Sequence, residues 1–146
     1  MLSGPNHTPG LLKLLIADDS APFRRLVKTL FPAETTEFVE CADGTEAVRV
    51  YPEQRPDWVL MDIEMKGLDG ISATSWIKAR HPEARILIIT QYDDPDLRAD
   101  AQKAGAKAYF LKDNLALIRR YVGENSGPDS SNYHPANPTA PRERTL

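Results

Sequence analysis

With 146 residues, 41% hydrophobic and 27% charged, the chain suits one globular domain around a single core. Its formal charge of −3 gives no general attraction to nucleic acid or to an anionic membrane. No stretch approaches the ~18 consecutive apolar residues of a membrane span, and MLSGPNHTPG lacks the basic start and apolar run of a secretory leader. Cys41 is the single cysteine, so no internal disulfide can form, and a reducing cytoplasm is the expected compartment. Cys41 closes an apolar stretch and reads as a small core residue rather than a reactive thiol.

Composition divides the chain into three parts. Residues 1–10 carry two Pro and two Gly and read as a flexible lead-in. Residues 11–122 alternate apolar runs with helical patterns. Residues 123–146 hold two Gly, four Pro, three Ser and three Asn among twenty-four positions. Such a segment buries too little apolar surface to offset its ordering entropy, so a linker or disordered tail is expected.

In chain order, LLKLLIA (11–17) is mostly apolar and too short for a full helix, which predicts a buried strand. Ser20 can cap the helix that follows, and Pro22 suits its first turn. Phe23, Leu26, Val27 and Leu30 then fall at i, i+3, i+4 and i+7, one helix face. A second strand is predicted near EFVEC, then a short helix through Glu46, Ala47, Val48 and Tyr51. DWVLM (57–61) predicts the third strand. Gly67, Asp69 and Gly70 predict a loop, and the next helix carries Ile71, Trp76 and Ile77. RILIIT (85–90) predicts the fourth strand. Asp94-Pro95 opens a helix that ends at Gly105, a C-cap residue. AYFL (108–111) predicts the fifth strand, and Asn114 can cap a last helix with Leu115, Leu117, Ile118, Tyr121 and Val122. Short apolar strands alternating with helices predict an α/β fold, a parallel sheet covered on both faces. Right-handed crossovers make it doubly wound. Ligands of such sheets sit outside the carboxyl ends of the strands, at the switch point of the winding.

The polar residues fall at those ends. The first strand runs into Asp18-Asp19, the third into Asp62, the fourth ends in Thr90 and the fifth is followed by Lys112. Taken singly, each has an ordinary role: an Asp as cap or turn residue, Thr90 as a satisfied strand-end hydroxyl, Lys112 as a solvated surface lysine, Tyr109 as packing. Taken together, three clustered carboxylates raise one another's pKa unless a cation joins them. Mg²⁺, a hard ion that takes carboxylates and keeps several waters, fits that demand. An acidic metal pocket with a fixed lysine and a hydroxyl suits phosphoryl transfer, where positioning and charge neutralisation do most of the catalysis.

IADDS, VLMDIEMKGLDG, LIIT and GAKAYFLKD resemble, in order and spacing over residues 11–122, the signature stretches of bacterial two-component response-regulator receiver domains. The resemblance implies a flavodoxin-like five-stranded sheet of order 2-1-3-4-5. It implies that Asp62 accepts a phosphoryl group from a sensor histidine kinase or phosphotransfer protein. Asp19, Asp62 and the backbone carbonyl of Glu64 would bind Mg²⁺ directly, and Asp18 through water. Lys112 would pair with the phosphoryl oxygens, Thr90 would move to hydrogen-bond them, and Tyr109 would turn inward, relaying the change to the face of the fourth helix, fifth strand and fifth helix. Such a chain catalyses its own phosphorylation and dephosphorylation but is primarily a switch. Glu64 and Tyr92, each two residues past a site residue, are placed to tune the lifetime of the phosphorylated state.

Lys66 stands in EMKGLDG where this family usually carries proline, which adds a cation near the pocket mouth. Asp113, where many receivers have proline, makes AYFLKD most similar to receivers of NarL/LuxR-type transcription factors. TAPRERTL (139–146) resembles the opening of the helix-turn-helix domain that follows those receivers. This chain has no room for that domain after residue 122, so no direct DNA binding by it is expected. A homodimer through the fourth helix, fifth strand and fifth helix is a further expectation. Two alternatives belong to other classes. One is a stand-alone module acting by protein–protein interaction. The other is a haloacid-dehalogenase-type phosphatase, for which Asp62-Ile63-Glu64 is a weak mimic of the D-x-D motif and no segment makes a cap.

Overall fold

A computed structural model of the chain describes residues 10–126; residues 1–9 of the lead-in and residues 127–146 of the tail, TAPRERTL among them, lie outside the described residues. Five strands and five helices alternate without exception: β1 Leu12–Ala17, α1 Ala21–Lys28, β2 Thr36–Cys41, α2 Gly44–Gln54, β3 Trp58–Met61, α3 Gly70–Arg80, β4 Ile86–Thr90, α4 Pro95–Ala104, β5 Ala108–Leu111 and α5 Leu115–Glu124. The strands form one parallel sheet in the order β2-β1-β3-β4-β5. This is the expected doubly wound α/β sheet of flavodoxin-like order.

The continuous apolar character of the strands follows from burial on both faces. On one face Leu15, Ala17, Val59, Met61, Ile86 and Ile88 pack against α2, α3 and α4 through Ala47, Tyr51, Ala73, Ile77 and Ala101. On the other face Leu14, Ile16, Trp58, Leu60, Leu87 and Ile89 meet α1 and α5 through Val27, Phe31, Ile118 and Val122. The period-2 alternation of strand side chains separates the two cores. Cys41 is buried, and burial pushes its thiol up to about 12, so it is the inert core residue expected.

Local signals place most helix starts. Ser20 Oγ accepts from the Phe23 N–H at 3.2 Å, with Pro22 in the first turn of α1. Asp94 Oδ1 accepts from the N–H groups of Asp96 and Leu97, and Gly105 ends α4 at φ 105°. Three details differ from the sequence reading. Leu26 is 47% exposed, while Val27 of the same stripe is buried and Phe23 and Leu30 pack half-buried against the sheet. Trp76 is 46% exposed on α3, with the Arg80 guanidinium 3.9 Å over its ring. Asn114 takes the N-cap position of α5 but makes no side-chain cap hydrogen bond.

Packing also runs past residue 122. Asn125 is buried, and its carbonyl accepts from Arg85 Nη1 at 3.1 Å. Ser126 Oγ accepts from Trp58 Nε1 at 2.8 Å and donates to the Val122 carbonyl. The Arg85 guanidinium lies 4.4 Å over the Trp58 ring. The end of α5 is thereby tied to the start of β3 and β4, at the sheet edge opposite their carboxyl ends. Among the described residues no helix is long and apolar enough to cross a membrane.

Candidate functional site

Register brings the strand-end residues together. Ala17 pairs with Met61, so Asp18 and Asp62 are the next residues on adjacent parallel strands. The Asp62 N–H donates to the Ala17 carbonyl at 2.9 Å, and the Asp18 N–H to the Cys41 carbonyl at 3.0 Å. Thr90 pairs with Leu111, and the Lys112 N–H donates to the Thr90 carbonyl at 2.8 Å. The β1/β3 edge is where the winding reverses, since β2 lies on one side of β1 and β3 to β5 on the other.

Carboxylate oxygens of Asp18, Asp19 and Asp62 lie within 4.8 Å of one another. Asp18 and Asp62 are buried and Asp19 is exposed, so the cluster opens to solvent on one side. Asp18 Oδ1 accepts from the Ser20 N–H, and Asp62 Oδ1 from the Ile63 N–H. The Lys112 ammonium reaches both buried carboxylates, 2.8 Å from Asp18 Oδ2 and 3.5 Å from Asp62 Oδ2. Burial, with the Asp18 charge next to it, pushes the Asp62 carboxyl up to about 6 despite the lysine. Burial alone would depress Lys112, but its contacts with Asp18 and Asp62 raise it above the usual lysine value. One lysine thus faces three carboxylates. The donors are all hard oxygens, two of them held by backbone N–H groups and one open to water. That set fits a small hard divalent cation that keeps part of its hydration shell.

The carboxylates open into a cleft of about 540 Å³ lined by Asp19, Asp62, Glu64, Lys66, Tyr92 and Lys112 among others. Lys66 therefore does place its cation at the cleft. Glu64 and Tyr92 meet across it: the Tyr92 hydroxyl donates to Glu64 Oε1 at 2.8 Å. Thr90, 1% exposed, lies behind the lining, and its hydroxyl accepts from the Tyr92 N–H at 3.2 Å. Tyr109 is buried beside β4, where its hydroxyl donates to the Tyr92 carbonyl at 2.6 Å. The Arg98 guanidinium lies 4.9 Å over its ring.

Two supports escaped the sequence reading. The Phe23 ring lies 4.4 Å from the Lys112 ammonium and floors its position; helical spacing gave its burial but no partner. Gly70 opens α3 instead of sitting in the loop, and a Cβ there would overlap the Asp62 carbonyl oxygen. The requirement is for close approach of α3 to the strand that carries Asp62. The Asp-Gly pair 69–70 was the available signal, since Asp69 caps α3 through the Ser72 N–H at 2.9 Å.

Comparison with known proteins agrees with this geometry. The response regulator receiver domain family matches residues 14–121. The chain is 40% identical over 104 residues to the transcriptional regulatory protein YhcZ of Bacillus subtilis, covering 70% of this chain and 49% of that protein. It is 37% identical over 103 residues to the chemotaxis protein CheY of Listeria monocytogenes, covering 70% and 87%. It is 36% identical over 122 residues to the oxygen regulatory protein NreC of Staphylococcus epidermidis, covering 77% and 56%. The chain thus spans about half the length of YhcZ and NreC and most of CheY. Among solved structures, the receiver domain of NarL from Mycobacterium tuberculosis superposes with a TM-score of 0.73 at 27% identity, covering 80% of this chain and 96% of that one. A CheX–CheY complex with BeF3 and Mg from Borrelia burgdorferi gives a TM-score of 0.70 at 30% identity, covering 77% and 88%. Asp62 stands at the end of the third strand, and the haloacid-dehalogenase alternative finds no support in these relatives. The ordered carboxylates, the sheet order and the match over residues 14–121 converge: the chain belongs to the response regulator receiver domain family of two-component systems.

Proposed function

We propose that this receiver is a phosphorylation-dependent switch in which Asp62 is the phosphoacceptor. The observation that carries the reading is the cluster of Asp18, Asp19 and Asp62 with Lys112 bridging Asp18 and Asp62 at the sheet edge. The donor is a phosphohistidine on a sensor kinase or a phosphotransfer protein. An Asp62 carboxylate oxygen attacks phosphorus, the P–N bond breaks, and the histidine nitrogen leaves with its electron pair. The product is an acyl phosphate on Asp62, which water later hydrolyses. Asp18, Asp19, Asp62 and the Glu64 carbonyl would hold Mg²⁺, which supplies charge neutralisation on the transferring oxygens. Magnesium in the related CheX–CheY complex supports that choice of ion. Lys112 and the Thr90 hydroxyl hold the added charge of about −1.5 to −2. Thr90 and Tyr109 pass the change to the α4–β5–α5 face, which is also the proposed place of homodimer contact.

Residues 11–122 act as the receiver unit, and the segment after them leads to the output. YhcZ, a transcriptional regulatory protein by name, favours the receiver part of a transcriptional regulator; in this reading it works in the cytoplasm, and DNA is read by a domain other than residues 10–126. The CheY relatives favour a second reading, a stand-alone receiver acting through protein contacts. The test is phosphorylation by acetyl phosphate, read by intact mass. The expected result is gain of one phosphoryl group that needs Mg²⁺ and is lost in Asp62→Asn. Labelling of Asp62→Asn, or equal labelling in EDTA, would sink the proposal. Glu64 and Tyr92 screen the phosphoryl group from water, so E64A and Y92A should each change the rate of dephosphorylation by about threefold or more; unchanged rates would remove them from that role.

A further inference from the structure

Tyr92 takes part in three hydrogen bonds that point in three directions. Its N–H donates to Thr90 Oγ1 at 3.2 Å. Its carbonyl accepts from the Tyr109 hydroxyl at 2.6 Å. Its own hydroxyl donates to Glu64 Oε1 at 2.8 Å, 28 residues away in the chain and across the mouth of the cleft. The first two bonds use the backbone, and any residue but proline at this position could make them. Only the third depends on a tyrosine here and on an acceptor at residue 64.

We propose that the Glu64–Tyr92 hydrogen bond is a clasp that positions the β4–α4 loop and holds Tyr109 inward before any phosphoryl group arrives. This deepens the reading of Asp62 as the phosphoacceptor and rests on it for its role in signalling. The loop, residues 91–94, is anchored at both ends. Thr90 lies within the sheet on one side. On the other, Asp94 caps α4, and Asp93 pairs with Arg98 at 3.0 Å while Arg98 covers the Tyr109 ring. Between these anchors Tyr92 is 37% exposed, and its hydroxyl holds the far loop through Glu64. With the clasp closed, the Tyr92 carbonyl stays over the Tyr109 hydroxyl. With it open, that carbonyl is free to swing away, and a buried phenol loses its acceptor. Closing the clasp and burying Tyr109 therefore favour each other. Glu64 and Tyr92 act here as positioning residues, through the loop backbone, on Thr90 and Tyr109. The inward state then starts from a higher population, and phosphorylation has a smaller shift to complete.

Hydrogen exchange read by mass spectrometry tests this on the full chain without a phosphoryl donor. Y92F and E64A should each speed exchange of the amides in residues 91–94 by about fivefold, with α2 unchanged. The double variant should exchange no faster than either single one, because both remove the same bond. E64Q keeps a side-chain oxygen as acceptor and should stay within about twofold of the parent. Unchanged exchange in the single variants, multiplicative effects in the double, E64Q behaving as E64A, or a rise that includes α2 would each overturn the clasp. Failure of Asp62 to label with acetyl phosphate would instead remove the phosphoacceptor reading and leave the exchange result standing.

Discussion

Asp62 is held where its charge is costly. Burial and the Asp18 carboxylate raise its pKa from 3.8 to about 6, even with Lys112 at 3.5 Å. A raised acid keeps its proton in the folded chain up to about pH 6 and releases it near pH 4 when unfolded. Folding thus takes up a proton in that window. The stabilisation is complete below about pH 4 and is lost as pH rises through about 6. Asp62→Asn removes the ionisation, so in EDTA it should stabilise the chain by about 1–3 kcal/mol near neutral pH, with the gain vanishing by about pH 4. Urea unfolding at the two pH values checks the sign. A divalent cation reverses this balance by binding the ionised carboxylates. Mg²⁺ at about ten times its Kd should add about 1.4 kcal/mol to the parent. Scanning calorimetry with and without EDTA should show that gain, and a smaller one in Asp62→Asn.

Helix ends differ in how firmly local chemistry sets them. Asp94 satisfies two N–H groups at the start of α4, while Asn114 at the start of α5 satisfies none with its side chain. Asp94→Ala should therefore cost about 1 kcal/mol and Asn114→Ala less than about 0.5 kcal/mol, measured by urea unfolding. Equal losses would show that position in the chain, not the observed bond, governs the cap. The same contrast explains which sequence expectations held for helices. Caps and glycine stops act within one turn, so Ser20, Asp94 and Gly105 were legible. Apolar spacing tells only which residues share a stripe. It could not say that Leu26 and Trp76 would stay half in water, since that depends on where neighbouring elements end.

At the scale of the molecule, the domain has a chemical edge and an exit edge. The carboxyl ends of β1, β3, β4 and β5 carry Asp18, Asp62, Thr90 and Lys112. The opposite edge holds the end of α5 through Arg85, Trp58, Asn125 and Ser126. Ser126, the last described residue, lies at that opposite edge, away from the carboxylates. A chain cut after Val122 should be less stable than one cut after Ser126 by about 1–3 kcal/mol, because the part-buried hydrogen bonds from Trp58 to Ser126 and from Arg85 to Asn125 go together. Thermal unfolding of the two truncations checks this; equal midpoints would show that the contacts of residues 123–126 carry no net weight.

The sequence by itself determined the class of fold, the order of elements and the candidate residues at the strand ends. Those follow from short-range rules: apolar runs of strand length, helical spacing, caps, and the topology that alternating elements permit. The resemblance of four stretches then implied roles for Asp18, Asp19, Asp62, Thr90 and Lys112. Only the tertiary structure decided the distances among them, because register between strands 44 residues apart in sequence sets whether Asp18 and Asp62 become neighbours. It alone placed Phe23 beneath Lys112, pressed Gly70 against the Asp62 carbonyl and joined Glu64 to Tyr92 across the cleft. The Phe23–Lys112 and Glu64–Tyr92 contacts join elements remote in the chain, and the Gly70 contact joins a strand to the helix that follows it. No local pattern encodes the two remote contacts, because the free energy that selects them comes from packing the whole sheet.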